Sequence, residues 1–210
     1  MRVDKFYKTD CELSLTNRIF QEIYCRKGTS KQELANQLQL SLPTVGQSLK
    51  ALYAMGIIQK DGYFESTGGR KAARICAAPK ARISVGVALL REFIIITALD
   101  LYGRPVREKV YPIPFERTEA YYSAFGKAVD QFIAELKYPD DAILGVGLAV
   151  QGLVSKDGQT IINGDILGYT GTDRSVFQKN IRFGCRLFHD TEAAAFAELW
   201  SRPGIQNAVY

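Results

Sequence analysis

Two helix starts stand close together near the N-terminus, and they leave the chain between them little freedom. Ser30-Lys31-Gln32-Glu33 is a capping-box signature, in which the hydroxyl reaches forward to a helical amide and the Glu side chain reaches back. Ser41-Leu42-Pro43 is a second start, with proline in the first turn, where a missing N–H is no loss. The helix between them runs only over 31–37, with Leu34, Ala35 and Leu38 on its apolar side, and must turn at Gln39-Leu40. An earlier helix over 13–26 carries Leu15, Ile19 and Ile23 at helical spacing and stops at Gly28. In the third helix Val45, Leu49 and Leu52 share the core face. Thr44, Gln47, Ser48 and Ala51 are expected to point outward, with Lys50 at the edge.

An ordinary solvated helix is richer in charge than that outward face. Short hydrogen-bonding side chains around a helix start suit insertion into a DNA major groove, where base edges offer donors and acceptors. Two short helices joined by a tight turn, the second exposing Thr, Gln and Ser, form a helix-turn-helix pattern. A plain three-helix bundle is the competing reading. The residues after the third helix favour the helix-turn-helix: Met55-Gly56-Ile57-Ile58 enters a strand, Asp61-Gly62 is a two-residue hairpin signal, and Tyr63-Phe64 is expected to start the return strand. Ser66-Thr67-Gly68-Gly69-Arg70-Lys71 then reads as a wing. Its glycines allow close backbone approach, and Arg70 and Lys71 can reach phosphates. A flexible linker is the plainer reading of the same glycines. The expected interface to double-stranded DNA comprises Lys31, Ser41, Pro43, Thr44, Gln47, Ser48, Lys50, Gly69, Arg70 and Lys71.

Charge is distributed to match. The first 82 residues hold 14 Lys/Arg against 7 Asp/Glu, whereas the rest hold 13 against 15, so the basic excess lies where a polyanion is expected. No apolar run approaches the roughly 20 residues a membrane span needs, and no signal-peptide core opens the chain, which makes a cytoplasmic location the expectation. Cys11, Cys25, Cys76 and Cys185 lie far apart with one histidine to assist them, so no metal site is expected and the thiols read as buried or half-buried free cysteines.

Beyond residue 80 the pattern changes to strands: 84–89, 93–100 and Pro105–Tyr111, with a turn at Leu101-Tyr102-Gly103-Arg104. A helix over 118–136 precedes Ile143–Val150, whose unbroken apolar run suits a strand covered on both faces.

The segments Thr29-Ser30-Lys31-Gln32-Glu33-Leu34-Ala35, Ser41-Leu42-Pro43-Thr44-Val45, Gly56-Ile57-Ile58 and Gly68-Gly69-Arg70-Lys71 resemble the repressor branch of the ROK family of repressors, open reading frames and sugar kinases. Ile83-Ser84-Val85-Gly86-Val87 is similar to the first strand of its kinase-like domain. The stretch from Gly145 to Val154 is similar to its strand and Pro-Gly turn, and Phe188-His189-Asp190-Thr191-Glu192-Ala193-Ala194-Ala195 to its Glu-Asn-Asp-Ala-Asn-Ala-Ala-Ala segment. The resemblance implies an α/β chain made of an N-terminal α+β winged helix-turn-helix over 1–80 and, over 81–210, one ribonuclease-H-like lobe of an actin-like sugar-kinase domain. The family's second lobe, with its Gly-Thr-Gly-x-Gly motif and zinc-binding cysteines, is expected to be absent before Tyr210.

Family kinases carry Asp-x-Gly-Gly-Thr after the first strand, and its glycine amides cradle ATP phosphates. Here Ala88, Leu90, Arg91 and Glu92 occupy the matching positions, adding bulk and a repelling carboxylate. The expectation is a non-enzyme with no catalytic residues and no cofactor. Asp190 matches the carboxylate that contacts sugar, and it is equally placed to cap the helix that Thr191 begins. His189 stands for an asparagine that also contacts sugar, or is simply a strand-end histidine. Asp165 matches a polar loop position and Gly152 a turn glycine lining the sugar. Together these imply a DNA-binding regulator, by family habit a repressor, of carbohydrate-utilisation genes. It would act as a homodimer and be relieved by a sugar or sugar derivative. The alternatives are a sugar kinase or kinase remnant with a regulatory DNA-binding module, and a second domain retained for dimerisation or docking alone.

Overall fold

The computed structural model describes residues 14–65 and 71–201, and the chain divides between Ala81 and Arg82 into two units, each with its own core. In the first, α1 (Leu15–Arg26) starts where the Ser14 hydroxyl accepts the Asn17 N–H at 3.3 Å. It ends at Lys27, whose φ of 56° closes the helix in the left-handed region. In α2 (Lys31–Leu38) the capping box forms as its residues predict. The Ser30 hydroxyl accepts the Glu33 N–H at 3.2 Å, and the Glu33 carboxylate accepts the Ser30 N–H at 2.7 Å. That backbone bond is the main reason the Glu33 carboxyl sits below its ordinary range. Gln39 terminates α2, and α3 (Leu42–Ala54) follows at once from Ser41. Ile19 and Ile23 of α1, Leu34 and Ala35 of α2, and Val45, Leu49 and Leu52 of α3 meet in one apolar core.

The hairpin departs from expectation. β1 (Ile58–Tyr63) runs straight through Asp61-Gly62 and pairs antiparallel with β2 (Ala73–Ala77), with Tyr63 opposite Ala73. Asp61-Gly62 is thus not the turn, nor do Tyr63-Phe64 begin the return strand. Gly62, at φ 75°, lies where the register shifts between Lys60 and Tyr63. Positive φ serves a bulge as well as a hairpin turn, and only long-range pairing decides between them. The Phe64 N–H donates to the Ala72 carbonyl at 2.9 Å, so the connection lies beyond Phe64. Thr29 exchanges two backbone bonds with Ile75 (2.9 and 2.7 Å), which ties the start of α2 to β2.

In the second unit β3 (Ile83–Leu89), β4 (Ile94–Leu99), β5 (Pro105–Tyr111), β6 (Ile143–Val150) and β9 (Cys185–His189) form a sheet of order β5-β4-β3-β6-β9. The β3–β4 and β4–β5 pairs are antiparallel, whereas β3–β6 and β6–β9 are parallel. Alternation in the sequence sets the two faces. Val85, Val87, Ile94, Ile96, Val146, Leu148 and Leu187 are buried on one of them, in the same core as Phe125, Val129 and Phe132 of α4 (Glu119–Leu136). Gly86, Ala88, Gly147 and Ala149 occupy the other, half-buried. At Gly126 any Cβ would stand 1.9 Å from the Asn180 carbonyl, so only glycine lets α4 meet the segment after α5 (Ser175–Gln178). The outer strand β5 is charged: Arg107 and Lys109 both pair with Glu135 of α4, and Glu108 accepts from Thr97 at 2.9 Å. Between β6 and β9 lie β7 (Leu153–Val154) and β8 (Ile161–Asn163), a short hairpin, and α6 (Asp190–Ser201) closes the described chain.

Candidate functional site

The sequence-derived residues fall in two places, one in each unit. In the first unit the start of α3 gathers most of them. The Ser41 hydroxyl accepts the Thr44 N–H at 3.2 Å and lies 2.7 Å from the Thr44 hydroxyl, so both groups are engaged in capping the helix. Leu42, Pro43, Gln47 and Lys50 are exposed and Thr44 is half-buried. Lys31 reaches across from α2. A Cβ at Gly46 would meet its ammonium at 2.7 Å, which places a positive charge beside the exposed stretch of α3. No ion pair among the described residues engages Lys31 or Lys50.

Ser48 is a correction. It is only 7% exposed, with its hydroxyl 3.5 Å from that of Thr16 on α1, and it does not face outward. On a 3.6-residue period, position 48 lies on the flank of the Val45–Leu49–Leu52 stripe, close enough for α1 to cover it. Gly69 and Arg70 lie outside the described residues, while Lys71 is exposed at the connection end of the hairpin, next to Ala72. Arg74 is not available in the same way: it pairs with Asp61 at 3.1 Å and donates to the Lys27 carbonyl at 3.1 Å. Sequence reasoning did not single out Gln59 and Lys60, which are exposed on β1. Cys25 is exposed, contrary to expectation, whereas Cys76 and Cys185 are buried and burial pushes both thiols up.

In the second unit the three parallel strands β3, β6 and β9 lie side by side, and their C-terminal ends are where an open α/β sheet places its ligands. Val150 at the end of β6 pairs with His189 at the end of β9, so the turn bearing Gly152 adjoins His189-Asp190. A Cβ on Gly152 would come within 2.3 Å of the Asn163 carbonyl, and its absence lets the 164–171 loop close over the strand end. In that loop Asp165 is exposed and accepts a hydrogen bond from Thr170 at 2.9 Å, and the Thr170 hydroxyl also accepts the Gly164 N–H at 2.8 Å. Tyr169, fully buried, roots the loop by packing edge-on against Phe115 at 5.2 Å. Its phenol is pushed up to about 12, by burial first; the Gln151 backbone offsets part of this and the Asp190 carboxylate adds to it. Tyr169 therefore ties the Asp165 loop to the core through its packing on Phe115. Its signal in the sequence was an aromatic residue directly after Gly168.

Asp190 opens α6 and accepts the Thr191 N–H at 2.8 Å, while the His189 Nδ1 lies 2.6 Å from the Thr191 hydroxyl. Asp190 is itself the first residue of α6, and its bond to the adjacent amide differs from an N-cap, which reaches two or three residues on. These side chains offer a ligand carboxylate oxygens and an imidazole near the strand ends, groups able to accept hydrogen bonds from hydroxyls. Among the described residues no group of three or more His, Cys, Asp or Glu is arranged to hold a metal ion, and no helix is long and apolar enough to cross a membrane.

The family model for the ROK family matches residues 85–210, and the chain belongs to that family. Within it, the chain is similar to the DNA-binding transcriptional dual regulator NagC of Escherichia coli K12, with 26% identity over 174 residues, 80% of this chain and 42% of that protein. It is also similar to the xylose repressor of Bacillus subtilis strain 168, with 24% identity over 139 residues, 66% of this chain and 36% of that protein. Among solved structures, a ROK family transcriptional regulator described as a homolog of the E. coli MLC protein superposes with a TM-score of 0.64 and 15% identity, covering 88% of this chain and 47% of that one. A ROK family glucokinase from Streptomyces griseus, in complex with glucose and AMPPNP, gives a TM-score of 0.50 and 18% identity over 59% of this chain and 38% of that one. The chain spans less than half the length of these relatives.

Proposed function

We propose that this chain is the DNA-binding domain and first effector lobe of a sugar-responsive transcriptional regulator, a repressor of carbohydrate-utilisation genes. The first unit acts as a winged helix-turn-helix over 1–80, with α3 in the major groove and the β1–β2 hairpin as its wing. Lys31, Pro43, Thr44, Gln47, Lys50 and Lys71 face DNA, Ser41 fixes the start of α3, and Gly69 and Arg70 complete the wing. Two copies bind a palindrome, because each carries one such helix and half-sites lie about 34 Å apart. Over 81–210 the chain holds one lobe of the kinase-like domain, in which Gly152, Asp165, His189 and Asp190 receive a sugar without catalysing its phosphorylation.

The observation that carries this reading is how far the likenesses extend. The alignment to NagC, at 174 residues, is too long to lie within residues 85–210 and so takes in part of the first unit. The likeness to the glucokinase covers 59% of the chain, no more than the second unit supplies. Ala88, Leu90, Arg91 and Glu92 in place of a phosphate-cradling loop point the same way.

The test is fluorescence anisotropy of the full-length protein on duplexes from the promoters beside its own gene. Binding tighter than to random duplex by about a thousandfold or more is expected, weakened by sugar and reduced at least tenfold by Gln47→Ala combined with Lys50→Ala. Equal affinity for random DNA, or indifference to the double substitution, would overturn the reading. ATP-dependent phosphorylation of a hexose would favour the kinase alternative.

A further inference from the structure

The turn that replaces the kinase phosphate loop has acquired a mechanical connection. It closes on itself through the Leu90 N–H donating to the Phe93 carbonyl at 3.1 Å. From its tip the Arg91 guanidinium donates to the Ile166 carbonyl at 2.6 Å, across 75 positions of sequence. Ile166 directly follows Asp165 in the 164–171 loop. The backbone of Arg91 reaches the root of the same loop. Its carbonyl accepts the Phe115 N–H at 2.7 Å, and the Phe115 ring packs against both Tyr169 (5.2 Å) and Tyr121 (4.8 Å). One residue thus supports the loop at its outer limb by side chain and at its base by backbone. Tyr169 anchors the base and the Thr170 hydroxyl links Gly164 to Asp165, and the guanidinium adds a bond to the outer limb from outside the loop.

We propose that Arg91 is a positioning residue of the effector pocket, a strut that holds the Asp165 loop in its binding conformation before ligand arrives; this rests on the sugar-effector reading above. Loops ordered in advance bind more tightly because their ordering is not charged against association. A guanidinium–carbonyl bond is charge-assisted, although this one is open to solvent, and its loss is expected to weaken binding roughly tenfold. Arginine at this position excludes a phosphate cradle and at the same time serves the pocket.

The experiment has two independent readouts on the full-length protein and its Arg91→Ala and Arg91→Lys variants. Amide hydrogen exchange in the absence of ligand is expected to rise at Gly168 and Tyr169 in Arg91→Ala. It should stay unchanged at Gly171, whose amide bonds to the Ile161 carbonyl of β8. Titration calorimetry with N-acetylglucosamine, D-xylose and D-glucose is expected to show roughly tenfold weaker binding of whichever sugar binds the parent protein, with Arg91→Lys restoring part of the loss. Unchanged exchange overturns the strut, and raised exchange with unchanged affinity overturns its role in the pocket. If none of the three sugars binds the parent protein, the effector reading fails, and raised exchange still supports the strut by itself.

Discussion

Ser48 and Gln47 are neighbours in sequence with opposite fates, and that contrast is the sharpest statement the structure makes about single residues. Gln47 is exposed on α3, whereas Ser48 is 7% exposed against Thr16 of α1. A lysine at 48 would have to bury an unpaired ammonium or push α1 aside, at a cost of about 2 kcal/mol or more. Ser48→Lys is therefore expected to lower the urea midpoint clearly while Gln47→Lys leaves it within error. Equal effects would mean the α1–α3 packing is wrong. The same physics limits what can be read from a sequence. Ser30, Glu33 and Ser41 were legible because capping is local, needing only residues three apart. Ser48 was not, because a second helix decides its burial. Nor was the rooting of the 164–171 loop on Tyr169, which depends on Phe115 arriving from far upstream.

At the level of elements, α4 supplies most of what holds the sheet's core. Phe125 is fully buried and packs on Phe177 at 5.5 Å and on Tyr121 at 6.2 Å. Truncation to alanine removes those contacts and leaves a cavity between helix and sheet. Phe125→Ala is expected to cost about 3–5 kcal/mol in chemical denaturation followed by circular dichroism, against less than about 0.5 kcal/mol for the exposed Lys127→Ala. A loss under about 1 kcal/mol for Phe125→Ala would contradict the packing. Elements of this kind were the most readable part of the chain. An unbroken apolar run marked β6, and the ranges read for β3, β4 and α4 lie within a residue of those observed. The hairpin was less readable because Gly62 fits a bulge as comfortably as a turn, and pairing with β2 settles which.

Taken whole, the molecule is electrically lopsided. Residues 1–82 carry twice as many basic as acidic side chains, and the remainder slightly more acidic than basic. If the first unit alone meets DNA, the salt dependence of binding must respond to charges there and nowhere else. Lys50→Gln or Lys71→Gln is expected to flatten the log–log slope of affinity against salt by about 1 each, and the exposed Lys156→Gln of the second unit to leave it unaltered. A slope that follows Lys156 would place the polyanion on the wrong unit. The second unit's outer strand has a different bearing on life at high concentration. A bare sheet edge invites a further strand from another molecule, the first step toward fibrils. On β5, Pro105 withholds an amide from any newcomer, and a docking backbone would have to part Arg107 and Lys109 from Glu135. That border turns away the polymerisation that its hydrogen-bonding groups would otherwise encourage.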